Sequence, residues 1–248
     1  SHKYNLYGLL GYYKATGYQP ALDACKKIGD LLCKTFGNKP GQLDIILAGT
    51  HIGMASTSVL DPMVELYKYT GDKKYLDFCY YILEAWEQKN GPKIISALLT
   101  KGKVTAVGNG KAYEMLSTFV GLANLYRTTG DVAMLKPIFT AWNDIVKNQL
   151  YVTGTTSPHE YFPADDYLPA GKDANMGQGC VTTTWIQFNQ QLFEITGDLK
   201  YFDQIELSVY NHLLAAENPQ TGCVSYYTPL MGAKPYTCYI TCCQSSVP

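Results

Sequence analysis

Two adjacent cysteines, Cys242 and Cys243, stand near the end of a 248-residue sequence that holds eight in all, the others at 25, 33, 79, 180, 223 and 238. A disulfide between neighbours would bridge a trans peptide whose Cα atoms lie about 3.8 Å apart, below the separation unstrained disulfides prefer. Two thiolates on one metal avoid that strain, because zinc accepts sulfur at about 2.3 Å from different directions. The doublet therefore favours a metal. Cys180, in the triplet Gln178-Gly179-Cys180, would raise the set to three thiolates, and Gln178 could reach the same ion across the short Gly179. A neutral amide is a poorer zinc donor than a carboxylate. Cys223 and Cys238 compete for the same role. Cys25, Cys33 and Cys79 lie inside helical patterns and are expected to be buried and unreactive. The even count invites a disulfide framework, but a chain this long does not need one.

The remaining candidates for chemistry are acids and aromatics. Glu160 sits in SPHEYF, Glu206 in DQIELSVYN and Tyr226 in YYTPL. Each has an ordinary reading beside the chemical one. Glu160 could cap or salt-bridge a loop, Glu206 could be a solvated helix acid or one bonded to Tyr226, and a three-cysteine zinc could simply pin two segments together. His2, His51, His159 and His212 lack metal-ligand spacing; His159, beside Glu160, lies nearest the chemistry.

These residues need a scaffold, and one phrase recurs that supplies it. YYKATGY at 12–18, LYKYTGD at 66–72, LYRTTGD at 125–131 and LFEITGD at 192–198 each close an apolar-periodic segment. Their glycines, Gly17, Gly71, Gly130 and Gly197, suit the left-handed position after a helix, and Asp72, Asp131 and Asp198 suit the N-cap of the next. Four αα-hairpins follow, whose apolar faces are buried only by stacking. Long inserts at 37–50, 91–109 and 151–177 favour a ring of hairpins over an open solenoid, and loops of that length usually carry function. The fold class is all-α, an (α/α) toroid of which about four of six hairpins are present. Residues 1–217 form the helical domain, and 218–248, rich in Tyr, Thr, Val, Gly and Pro, begin a β-rich segment. A net charge of -1 with 17% charged residues argues against nucleic acid, and no apolar run is long enough to cross a membrane as a helix. The 21 tyrosines suit an amphipathic core and a sugar site equally.

In YVTGTTSPHEYF, Gln178-Gly179-Cys180, DQIELSVYN, YYTPL and the Cys-Cys doublet, taken in that order, the sequence resembles glycoside hydrolase family 127, zinc-dependent retaining glycosidases that include bacterial β-L-arabinofuranosidases. The resemblance covers nearly the whole chain. It implies a Zn2+ site of Cys180, Cys242, Cys243 and position 178, with Cys242 the nucleophile and Glu160 the acid/base. It implies sugar contacts from Glu206 and Tyr226, with His159 close by. The substrate would be an oligosaccharide or glycan bearing terminal furanose, of plant origin, met in the periplasm or outside the cell. A homo-oligomer formed through regions outside this chain stays open. For Glu160 to protonate a leaving group, burial or nearby negative charge is expected to raise its pKa.

Three departures from the family stand out. Gln178 replaces a glutamate, which should weaken metal binding and turnover. Lys111 and Ser56 occupy or adjoin positions where histidines are usual, and a fixed cation at 111 would suit a carboxylated branched pentose of the aceric-acid type. Finally, the expected ring and β-sandwich are incomplete, so the chain is expected to be part of a longer protein. The rival to an enzyme is a carbohydrate-binding helical toroid with a structural zinc; a solvent-facing coordination position with Glu160 within several ångströms of Cys242 would favour the enzyme, and a closed four-ligand site far from Glu160 the rival.

Overall fold

The computed structural model describes residues 2–168, 175–239 and 241–246. Four hairpins run α1 (His2–Thr16) with α2 (Gln19–Thr35), then, after the short α3 (Met54–Thr57), α4 (Leu60–Thr70) with α5 (Lys73–Trp86). After α6 (Ile94–Lys101) come α7 (Ala112–Thr129) with α8 (Leu135–Asn148), and α9 (Gly179–Thr196) with α10 (Leu199–Leu207). A π-helical turn, Ser208–Leu213, leads into α11 (Leu214–Ala216). Strands β1 (Val224–Ser225) and β2 (Tyr236–Thr237) pair antiparallel, Val224 opposite Thr237, before α12 (Cys242–Ser246).

The threonine and glycine of the repeated turn are built the same way each time. Gly17, Gly71, Gly130 and Gly197 have φ of 70°, 67°, 74° and 68°, a region that costs other residues about 1–2 kcal/mol. The threonine before each glycine donates its hydroxyl back to the carbonyl one turn earlier and accepts the N–H two residues on, as when Asp131 N–H reaches Thr129 Oγ1 at 3.2 Å. Asp72, Asp131 and Asp198 then accept the backbone N–H of Lys74, Ala133 and Lys200. The Thr-Gly-Asp phrase is thus a self-sufficient helix stop and start.

Helices α1, α4, α7 and α9 pack side by side in that order, each backed by its hairpin partner, as an arc of an (α/α) toroid. The inner helices α7 and α9 are buried on nearly every face, while α2, α5 and α8 bury one stripe. Phe119 and Phe188 meet at 5.5 Å across the α7–α9 seam, and Trp142 stacks on Trp185 at 6.4 Å between α8 and α9. Gly121 lets α7 approach α4, since a Cβ there would stand 2.9 Å from Leu60 Cγ.

Two sequence expectations change. The 91–109 insert is not irregular throughout: its IISALL run forms α6, which buries Ile94, Ala97 and Leu98 and packs on α8. Cys223 and Cys238 are not metal ligands in waiting but a disulfide, drawn together at Cα–Cα 4.8 Å as they flank the paired strands β1 and β2. Residues 169–174 of the third insert lie outside the described residues.

Candidate active site

Two short backbone pairings bring the chemistry together. Gln178 bridges antiparallel to Tyr227, with Gly179 N–H on Tyr226 C=O at 3.2 Å and Thr228 N–H on Gly177 C=O at 3.1 Å. This lays Tyr226 beside the start of α9. Lys111 bridges antiparallel to Tyr161, with Phe162 N–H on Gly110 C=O at 2.9 Å, which lays the start of α7 beside Glu160. Glu160 itself has φ of 72°, and Ser157 and His159 have φ of 69° and 51°. Such strained backbone in non-glycine residues gathers at functional sites.

These segments, together with α12 and the start of α1, line a cavity of ≈ 440 Å³ whose wall includes Glu160, Gln178, Cys180, Tyr226, Cys242 and Lys111. Within it the Sγ atoms of Cys180, Cys242 and Cys243 lie within 4.8 Å of one another, and Cys180 Sγ is 3.4 Å from Cys243 Sγ. That is far beyond a disulfide bond of about 2.05 Å. It is close to the roughly 3.8 Å at which two sulfurs sit on a tetrahedral zinc. Neighbouring residues of a helix face different ways, so α12 turns Cys243 inward, fully buried, and leaves Cys242 exposed to the cavity.

A cation would change how the three thiols share their protons. Hydrogen bonds from Cys180 and Cys243, with a smaller one from Tyr226, push Cys242 down to about 2, whereas the same sharing with Cys180 and Cys242 pushes Cys243 far up. One sulfur ionises at its neighbours' expense, and only a metal would let all three be thiolates together. An oxygen that could serve as a fourth donor lines the same cavity: Gln178 is 4% exposed, and its Oε1 is buried with no hydrogen-bond partner among the described residues. This donor set fits zinc, with an amide in the place of a carboxylate.

Glu160 is held at both oxygens. Its Oε1 accepts from the Tyr226 hydroxyl and from Gln178 Nε2 at 3.1 Å, and its Oε2 accepts from Lys111 Nζ. Gln178 Nε2 also donates to Tyr226 Oη at 2.8 Å, and Cys242 Sγ lies 3.7 Å from that same phenol oxygen. Burial pushes the Glu160 carboxyl up, but Lys111 and Tyr226 outweigh it and hold it below the ordinary value. The expected upward shift is therefore reversed. Tyr226 is pushed up by burial and by Glu160.

Other residues singled out from sequence stand elsewhere. Glu206 is exposed on α10, and the partner of the Tyr226 hydroxyl is Glu160 instead. Ser56 is tied to Ile45 C=O at 2.6 Å and Gly53 C=O at 3.0 Å and lines a separate cavity with Thr50 and Phe36. His159 is exposed, its N–H on Asn175 C=O. Conversely Tyr4, Tyr113 and Glu114 line the cavity and drew no notice in the sequence. Glu114 had a signal: it stands one helical turn after Lys111 and so shares its face. Its Oε1 is 3.9 Å from His51 Nε2, and its Oε2 is buried without a partner among the described residues.

Residues 2–247 match the family model described as Beta-L-arabinofuranosidase, GH127 catalytic domain. The chain belongs to glycoside hydrolase family 127. It is 26% identical over 232 residues to the non-reducing end beta-L-arabinofuranosidase of Bifidobacterium longum subsp. longum, a match covering 83% of this chain and 34% of that protein. A solved GH127 beta-arabinofuranosidase superposes with a TM-score of 0.78 at 27% identity, over 99% of this chain and 38% of that one. A GH127 beta-L-arabinofuranosidase from Geobacillus stearothermophilus T6 shares the fold with a TM-score of 0.75 at 21% identity, over 92% and 38% of the two chains. The chain thus spans little more than a third of these relatives.

Proposed function

We propose that this chain carries the catalytic centre of a retaining glycosidase that releases terminal arabinofuranose from glycans, with Cys242 as nucleophile and Glu160 as acid/base. The carrying observation is the Tyr226 hydroxyl, hydrogen-bonded to Glu160 and 3.7 Å from Cys242 Sγ. Sulfur and carboxyl face each other across one phenol oxygen. That is too close for the water that an inverting pair admits at about 6.5–9.5 Å, and it suits direct attack on the sugar. The exposed Cys242 and its cavity favour an enzyme over a scaffold with a closed structural zinc. A zinc ion held by Cys180, Cys242, Cys243 and Gln178 would keep the sulfurs ionised at neutral pH.

In the first half-reaction the Cys242 thiolate attacks the anomeric carbon. The bond to the leaving oxygen breaks, and Glu160, entering protonated, gives that oxygen its proton. In the second, Glu160 as carboxylate takes a proton from water, whose oxygen displaces the sulfur. Resting beside Lys111, Glu160 is already in the form the second half needs. The two substitutions at carbon retain its configuration.

A neutral sugar fits better than a carboxylated one. Lys111, the one lysine of the cavity wall among the described residues, is already paired with Glu160, and Glu114 adds a second acid. The test is hydrolysis of p-nitrophenyl β-L-arabinofuranoside followed by NMR of the first-formed sugar. Retention of the anomeric configuration is expected, with Cys242→Ser inactive and Glu160→Gln slowed by about 10²–10⁴-fold. An inverted product, or a fully active Cys242→Ser, overturns the reading.

A further inference from the structure

Lys111 reaches Glu160 from an unfavourable place. It is the N-cap of α7, where Ser, Thr, Asp or Asn is preferred, and its side chain makes no capping bond. Its charge also sits at the positive end of an 18-residue helix. Helix stability therefore does not account for a lysine here. Its side chain is 12% exposed, its Nζ lies 5.1 Å from the centre of the Tyr161 ring, and its backbone is bridged to Tyr161. A side chain that ordinarily samples many rotamers is confined, and its ammonium is directed onto one atom, Glu160 Oε2.

Glu160 needs such a tether. Its backbone lies in the left-handed region, at the end of a short turn. Tyr226 and Gln178 both act on Oε1, with Tyr227 beside the carboxylate, so those partners resist the terminal torsion chiefly through one oxygen. That torsion is soft and broad. Lys111 supplies the second point.

We propose that Lys111 is a positioning residue that locks the orientation of the Glu160 carboxyl beside Cys242 and makes no contact with the sugar. The inference rests on the reading of Glu160 as acid/base. Without Lys111 the carboxyl turns away from the leaving oxygen, and displacement by an ångström costs about a hundredfold in rate.

The experiment compares Lys111→Met and Lys111→Arg with the parent protein on two aryl arabinofuranosides, one with a poor leaving group and one with a dinitrophenolate that needs no proton. For Lys111→Met, kcat/KM on the poor leaving group should fall about 10–100-fold and on the dinitrophenyl sugar by less than about threefold. Inhibition by free L-arabinose should be unchanged, and Lys111→Arg should recover much of the loss. Equal losses on both substrates, or weaker arabinose binding, would mean a structural or sugar-contacting lysine and overturn the proposal. A crystal structure of Lys111→Met gives a second measure that needs no turnover: Glu160 Oε2 should swing from the place where Lys111 Nζ holds it, and an unmoved carboxyl refutes the lock. Failure of the functional reading shows differently, as a Glu160→Gln protein no slower than the parent.

Discussion

At the scale of single residues the site turns on a one-atom exchange, an amide at position 178 where the family resemblance expects a carboxylate. The side chain does two things here. Its Nε2 donates to Glu160 and to Tyr226, and its buried Oε1 is left without a donor among the described residues. A glutamate would reverse both. It would add a negative charge to the donor set of three sulfurs, and it would place a second carboxylate against Glu160, disfavouring ionisation of the pair. Gln178→Glu should therefore tighten zinc by at least about tenfold, the scale on which even outer-shell changes act on metal affinity. It should also raise turnover, because Glu160 would more readily hold the proton it must donate. Competition of each form with a chromogenic chelator measures the first effect and aryl-glycoside hydrolysis the second. Equal metal affinity in the two forms would show that position 178 does not reach the ion. Ligand chemistry let the sequence group the thiols of 180, 242 and 243. It could not show the Glu160–Lys111 pair, because that contact depends on a bridge between loops 49 positions apart.

At the scale of elements, the Thr-Gly-Asp turns were legible because each is closed by its own four or five residues and needs no tertiary partner. Elements whose shape depends on distant packing were not. The run IISALL forms a helix that packs on α8, and the segment after α10 widens into a π-helical turn that no local pattern announces. That turn carries His212, 1% exposed, with neither ring nitrogen partnered among the described residues. It backs Gly177, where a Cβ would stand 2.8 Å from His212 Cε1, and so lies behind the bridge that Gln178 makes to Tyr227. Burial, with a smaller push from Lys234, lowers its pKa to about 4. The folded value lies below the unfolded 6.5, so as pH falls the unfolded chain takes the proton first. Stability from this residue is whole above about pH 6.5 and is lost towards pH 4, a change of about 3 kcal/mol. Urea denaturation at pH 7.5 and pH 4.5 should show a steeper loss in the parent than in His212→Gln. Identical slopes would mean the imidazole finds a partner when charged.

At the scale of the whole molecule, the proposed catalytic groups come from segments spread between residues 111 and 243 and hang on unequal supports. Glu160, Lys111 and Gln178 are fixed by the hairpin arc, through the starts of α7 and α9. Cys242 and Cys243 sit on a five-residue helix that contacts α9 and the two-residue strand β1. A two-residue strand pair has little stability alone. The disulfide Cys223–Cys238 closes a separation of 15 residues around that pair, a constraint worth about 3 kcal/mol by loop entropy. It therefore holds the segment that delivers two of the three sulfurs. Replacing both cysteines by alanine, which leaves no odd thiol to scramble, should lower the melting temperature and weaken zinc binding together. Adding saturating zinc should restore part of the lost melting temperature, since a ligand that binds only the folded state stabilises it. Metal affinity unchanged in the double variant would mean that α12 is seated by its contacts with α9 alone. The disulfide would then guard the loop and not the site.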